Sequence, residues 1–238
     1  MPGFILHLLH GKLFLDQYVN NFSETEKNQF AMGLLMPDSN KAVKKKEDHS
    51  HFYSPDQADR MLQIPDMHRF PYIKQINNPF VLGYASHLYL DRFFFSDFFL
   101  RFVRFLDEKK QETLAASTAR YAELKRSGKL LTVSELFSED YLYGDYTMLN
   151  RFLIDKYHIE QVAQVQVENP IQEVDLSHFK TVQAQLDQYL SESSGSTEMR
   201  VFSIEEMESA IERYAYGFGQ WVDGIKCILK EILIQHND

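Results

Sequence analysis

The 238-residue chain has a single cysteine, Cys227, which excludes an intrachain disulfide and any thiolate-based zinc cluster. A metal would have to be held by imidazoles and carboxylates, and the lone thiol fits a reducing compartment. Glycine and proline are scarce, at 10 and 7 residues. Turn-dense sandwiches and barrels need more of both, so the scarcity favours long helices. Positive charge is also short: 25 Lys and Arg stand against 34 Asp and Glu, a formal charge of -9. That sign argues against gripping a phosphate backbone, and so against nucleic acid as a bulk partner. No transmembrane segment is visible. The aromatic stretch from Phe93 to Leu106 is broken by Asp97, Arg101 and Arg104, well short of about 18 apolar residues. The opening segment, Met1 to His10, has no basic region and no small-residue cleavage site, and reads as mature, cytoplasmic protein.

What is present fits one core. With 44% hydrophobic residues, the chain reads as a single all-α domain over residues 1–238, a multi-helix bundle. The N-terminal segment reads as a helix with Phe4, Ile5, Leu8 and Leu9 inward. Ser23 and Glu26 form a capping box that predicts a helix over 24–36, stopped by Pro37. A polar loop follows to Pro55, and Asn78-Pro79 opens an apolar helix expected to run to Leu106. Charge alternates with Ala and Leu over 109–126, which predicts another helix ended by Ser127-Gly128. Helices are expected over 139–157 and 178–191, with a possible lone strand at 159–167. A Ser/Gly-rich linker at 191–197 precedes a last helix capped by Ser203 and Glu206, running from 204 to 235. Gly217, Gly219 and Gly224 in that helix predict bending or close packing.

The residues able to carry chemistry concentrate in the first hundred positions. His87 and Asp91 are four apart in the most apolar helix, so their side chains share one face. A neutral imidazole and a carboxylate placed so can hold a divalent cation. The competing reading is a buried, hydrogen-bonded His–Asp pair. Either way a buried Asp needs a partner. Asp38 follows a helix end, His49 and His51 lie in the polar loop, and His7 and His10 lie on the N-terminal segment. Zinc accepts such nitrogen and oxygen ligands, and a catalytic site keeps one position open.

These elements occur as Met1-Pro2, His7/His10, Gly33 through Asp38, Ser50-His51-Phe52, and Gly83 through Asp91. Their order resembles the bacterial zinc-dependent phospholipase C family. The resemblance covers roughly residues 1 to 100 and implies a helical hydrolase with a metal site between helices, turning water against a phosphoester. It implies Asp38, His51, His87 and Asp91 as ligands of one metal, with His10, or else His7, joining Asp91 on a second. A chain-terminal amine is also a ligand in secreted members, which here would require loss of Met1 to expose Pro2. The family's further His six residues beyond the helix Asp is Asp97 here, and its HxxxE pair is absent. One or two ions, zinc or another divalent transition metal, are therefore expected. Asp97 and Asp145 are the candidate bases, and His49 and Lys41 the candidate phosphate contacts. The substrate implied is a small phosphoester or a phospholipid head group.

Two other functions compete. The 19 Phe and 13 Tyr, clustered at 93 to 106, could line an apolar groove of a helical binding protein whose metal site is degenerate. A metal phosphohydrolase of the HD type needs a His-Asp dipeptide, which the chain lacks. Glycine-rich phosphate loops are absent too, and Cys227 reads as a small core residue.

Overall fold

A computed structural model describes residues 3–44, 49–191 and 198–235. Met1 and Pro2, Lys45 and Lys46, and the 191–197 linker apart from Ser191 lie outside the described residues. Helix α1 spans Phe4–Tyr18 and buries Phe4, Ile5, Leu8 and Leu9, as expected. Helix α2 spans Glu24–Leu35, and its capping box forms in full, with Ser23 N donating to Glu26 Oε2 at 2.8 Å. Helix α2 ends at Leu35, ahead of Pro37 as expected, but that residue does not open a loop. It enters a 3-10 turn, Met36–Asp38, near its start, where a missing amide hydrogen costs nothing, and the turn leads into α3, Ser39–Ala42. Asp38 is therefore fixed within a helical turn instead of hanging on a loop.

Helix α4, Pro79–Phe93, opens with Pro79 at its first position and Asn78 Oδ1 accepting from the amides of Phe80 and Val81. Every residue from Phe80 to Asp91 is buried. The expected continuation to Leu106 breaks up into a π turn, Phe94–Phe98, a short α5, Phe99–Phe102, and strand β1, Val103–Leu106. Phe94, Phe95, Phe98, Phe99 and Phe102 are all buried, so this aromatic cluster is core and not a groove.

Strand β2, Tyr121–Leu124, pairs antiparallel with both β1 and β3, Lys129–Thr132, in the order β1-β2-β3. Ala122 stands opposite Phe105 on one side and Leu131 on the other. The all-α assignment is thus overturned: the chain is 61% helical but carries a three-stranded antiparallel sheet. The predicted helix over 109–126 is this sheet's connection and central strand. Gly128, at φ +69°, turns a β-hairpin where a helix end was expected.

Helices α6, Val133–Leu136, and α7, Leu142–Tyr157, follow. The strand expected at 159–167 does not form, and the stretch is irregular. Side-chain amides tie it down: Gln29 Nε2 donates to Gln166 O at 2.8 Å, Gln183 Nε2 donates to Val162 O at 2.8 Å, and Ala163 N donates to Asn28 Oδ1 at 2.9 Å. Helix α8 spans Phe179–Ser191, and α9 spans Ile204–Gln235 with the Ser203/Glu206 bonds in place. Cys227 is exposed on α9, contrary to the core reading.

Glycines decide which helices touch. A Cβ on Gly33 of α2 would overlap the Phe80 carbonyl oxygen, and one on Gly83 of α4 would overlap that of Phe30. The two backbones therefore meet at these residues. On α9, Gly219 lies under the Tyr18 ring and Gly217 beneath the Tyr89 hydroxyl, whereas Gly224 has nothing within 4 Å. Close packing accounts for two of the three. Buried apolar residues from α1 to α9 form a single cluster.

Candidate metal centre

Four chain segments converge on the buried face of α4. His87 and Asp91, one turn apart, put Nε2 and Oδ2 3.6 Å from each other. Helix α1 brings His7, whose ring stacks on His87 at 3.7 Å and 6° and whose Nε2 lies 3.4 Å from Asp91 Oδ1. The 3-10 turn after α2 brings Asp38, and the loop before Phe52 brings His51. His51 Nε2 is 3.4 Å from Asp38 Oδ1, 3.6 Å from Asp91 Oδ2 and 3.2 Å from His87 Nε2. All five side chains are buried. They form two overlapping triads, His7/His87/Asp91 and Asp38/His51/His87, in each of which one ligand atom per residue lies within 4.8 Å of the others, so that each could hold a metal ion.

The hydrogen bonds around the cluster fix which nitrogens face inward. His87 Nδ1 donates to the Leu34 carbonyl at 2.8 Å, a bond made possible by the glycine contact between α2 and α4. Ser50 Oγ donates to the Pro37 carbonyl at 2.7 Å, which commits its only hydrogen and leaves it to accept from His51 Nδ1 at 2.9 Å. Tyr84 holds the same loop by donating its hydroxyl to Ser50 O at 2.7 Å. Both imidazoles thus carry hydrogen on Nδ1 and aim Nε2 at each other. Two lone pairs 3.2 Å apart repel unless a proton or a cation lies beside them.

The electrostatics agree. Burial pushes the Asp91 carboxyl up, but the charge of His87 and the nearby His7 outweigh it and hold Asp91 well below the usual carboxylate range. Burial also opposes ionisation of Asp38, and the Lys41 ammonium together with His51 and His87 outweighs that and holds it well below the usual carboxylate range. Burial lowers His7 to about 4, and burial and Lys41 lower His51. His87 goes the other way, raised against burial by the charge and hydrogen bonding of Asp91 with Asp38 and the Leu34 carbonyl adding to them. Among the described residues, His7 Nε2 and both oxygens of Asp91 have no hydrogen-bond partner. Such a group is costly unless something neutralises it.

Between His7 and His10, the geometry selects His7. His10 Nδ1 pairs with Ser86 Oγ at 2.9 Å, and its ring packs against Phe218. Burial lowers it to about 3, which marks it as a neutral core histidine. Lys41 reaches the cluster, with Nζ 2.8 Å from Asp38 Oδ1 and 3.2 Å from His51 Nε2, while His49 is exposed. The two candidate bases are engaged elsewhere. Asp97 is bonded by Arg101, by Tyr214 and by Arg213, which together hold its carboxyl low. Asp145 accepts from the amides of Arg200, Val201 and Phe202 and anchors the start of α9.

Sequence reasoning overlooked Tyr146 and Asn150, one turn apart on α7. The Tyr146 hydroxyl and the Asn150 carbonyl oxygen are buried without a partner. Burial, with the charge of Asp91 adding to it, pushes the Tyr146 phenol well up, so it remains a hydrogen donor. The spacing was visible, but Tyr146 reads as part of the apolar face of its helix. Comparison with known proteins finds no match: no family model, no curated protein and no solved structure corresponds to this chain.

Proposed function

We propose that this chain is a divalent-metal-dependent hydrolase acting on a small phosphoester or phospholipid head group. The observation that carries the reading is the buried convergence of His7, His51, His87, Asp38 and Asp91, with Nε2 atoms facing inward and Asp91 without a hydrogen bond among the described residues. A donor set of imidazoles and carboxylates without thiolate suits zinc and its divalent neighbours. When bound, such an ion lowers the pKa of water from about 15.7 toward about 7 and polarises a phosphoryl oxygen.

The chain's own groups supply the rest. Leu34 O and Ser50 Oγ accept from Nδ1 of the two imidazoles and leave Nε2 as the atom aimed at the site. Lys41 places a positive charge at the edge of the cluster, where a phosphate oxygen would meet it. The Tyr146 phenol stays protonated and offers a hydrogen bond from α7. Buried apolar side chains of α1 and α4 on either side keep bulk water from solvating the charges.

The test pairs elemental analysis of the isolated protein with a screen of phosphomonoesters and phosphodiesters, run on wild type and His87→Ala. Wild type should hold zinc, manganese, iron or nickel and hydrolyse at least one substrate class. His87→Ala should lose both metal and activity while its far-ultraviolet circular dichroism persists. A wild type that holds no ion, and gains no activity when ions are added, would remove the proposal.

A further inference from the structure

The two triads share His87 but differ in what already satisfies them. In the half formed with α1, His7 Nε2 and both Asp91 oxygens are buried with no hydrogen bond among the described residues, only ion-pair approaches of 3.4–3.6 Å. In the other half, Lys41 Nζ lies against Asp38 Oδ1 and His51 Nε2. A lysine ammonium is a compact positive charge with three hydrogens and no acceptor. Directed at a carboxylate oxygen and an imidazole lone pair, it makes the two contacts that a cation there would make.

We infer that the centre takes a single divalent ion, in the His7/His87/Asp91 half, and that the Lys41 ammonium occupies the place of a second. This rests on the proposed metal dependence and specifies the number and position of the ions. Local structure delivers the ammonium. Asp38 and Lys41 are three residues apart across the 3-10 turn and α3, so the same helical turn that fixes the carboxylate presents the lysine to it. Charge balance points the same way. One divalent ion with Lys41 exceeds the two carboxylates by one positive charge, which suits an anionic phosphoryl group. A second divalent ion would have to displace the ammonium or sit beside it in a buried pocket, where like charges are weakly screened. The Lys41 side chain is 35% exposed, so its stem reaches the surface while its tip serves the cluster.

The experiment is equilibrium dialysis of the chelator-treated protein against Zn2+ alone, with the bound metal counted, for wild type, Lys41→Met and Lys41→Arg. Wild type and Lys41→Arg should saturate at about one ion per chain, and Lys41→Met at about two. A wild type that takes about two ions, or a Lys41→Met protein that stays at about one, overturns the inference and leaves the proposed metal dependence intact. No ion in any of the three removes both. Should Lys41→Met fail to fold, a second pair decides: His51→Ala must keep its ion and His7→Ala must lose it, and the reverse pattern overturns the inference.

Discussion

Gly83→Ala tests the link between helix packing and the site. An added Cβ would overlap the Phe30 carbonyl oxygen, lie 2.9 Å from its carbon and approach the Leu34 amide nitrogen to 3.1 Å. All three are backbone atoms, so α2 and α4 must separate by roughly 1 Å, since overpacked side chains cannot relax into the contact. The 2.8 Å bond from His87 Nδ1 to Leu34 O spans the same interface, and that separation takes it past hydrogen-bonding range. Overpacking costs about 1–3 kcal/mol, the stretched buried bond about 1–3 more, and the alanine returns about 1 through helix propensity. The net is a loss of roughly 3 kcal/mol, or a fall of about 6–12 °C in the thermal midpoint of a chain this size. Gly224→Ala is the control, because nothing lies within 4 Å of its Cβ position, and it should be neutral or stabilising by up to about 1 kcal/mol. Thermal unfolding followed by circular dichroism and a zinc titration read both effects. If Gly83→Ala matches the wild-type midpoint and zinc affinity, the close-approach reasoning is wrong.

His10 stays neutral in the fold down to about pH 3, while in the unfolded chain it takes up a proton near its ordinary 6.5. Its contribution is therefore present above 6.5 and is lost as the pH falls toward 3, by up to roughly 1.4 kcal/mol per pH unit. Urea midpoints between pH 7 and 5 should drop less steeply in His10→Phe than in wild type, and parallel curves would contradict the assignment of His10 as a core residue. For Tyr146→Phe, turnover should fall about tenfold with metal content and thermal midpoint held, as expected of a donor that meets substrate. A fall in the midpoint instead would show that the hydroxyl has a structural partner.

The His87/Asp91 pair was legible because one helical turn separates the two residues, whereas the resemblance alone linked Asp38 and His51 to that pair. His7 and His10 were not separable, since three residues along a buried helix can face either neighbour, and only the packing of α9 draws His10 away. The sheet was missed for a specific reason. "YAEL" and the residues around it favour helix by composition, and Ser127-Gly128 ends a helix or turns a hairpin equally well, because both need a glycine with positive φ. Pairing with β1 and β3 overrode the local preference. Pro37 marked the end of α2 correctly, but the loop expected after it begins as a 3-10 turn that fixes the buried Asp38. Asp97 and Asp145 were chosen to stand in for the family's missing His and HxxxE pair, and their partners Arg213 and the amide of Val201 lie too far along the chain to be foreseen.

The most direct measurement is an anomalous-scattering map of a crystal grown with Zn2+ and without chelator. The account predicts a peak bonded to His7 Nε2, His87 Nε2 and an Asp91 oxygen at about 2.0–2.2 Å, with Lys41 still on Asp38. A map with no peak inside the cluster, and the side chains positioned as they are here, would contradict it.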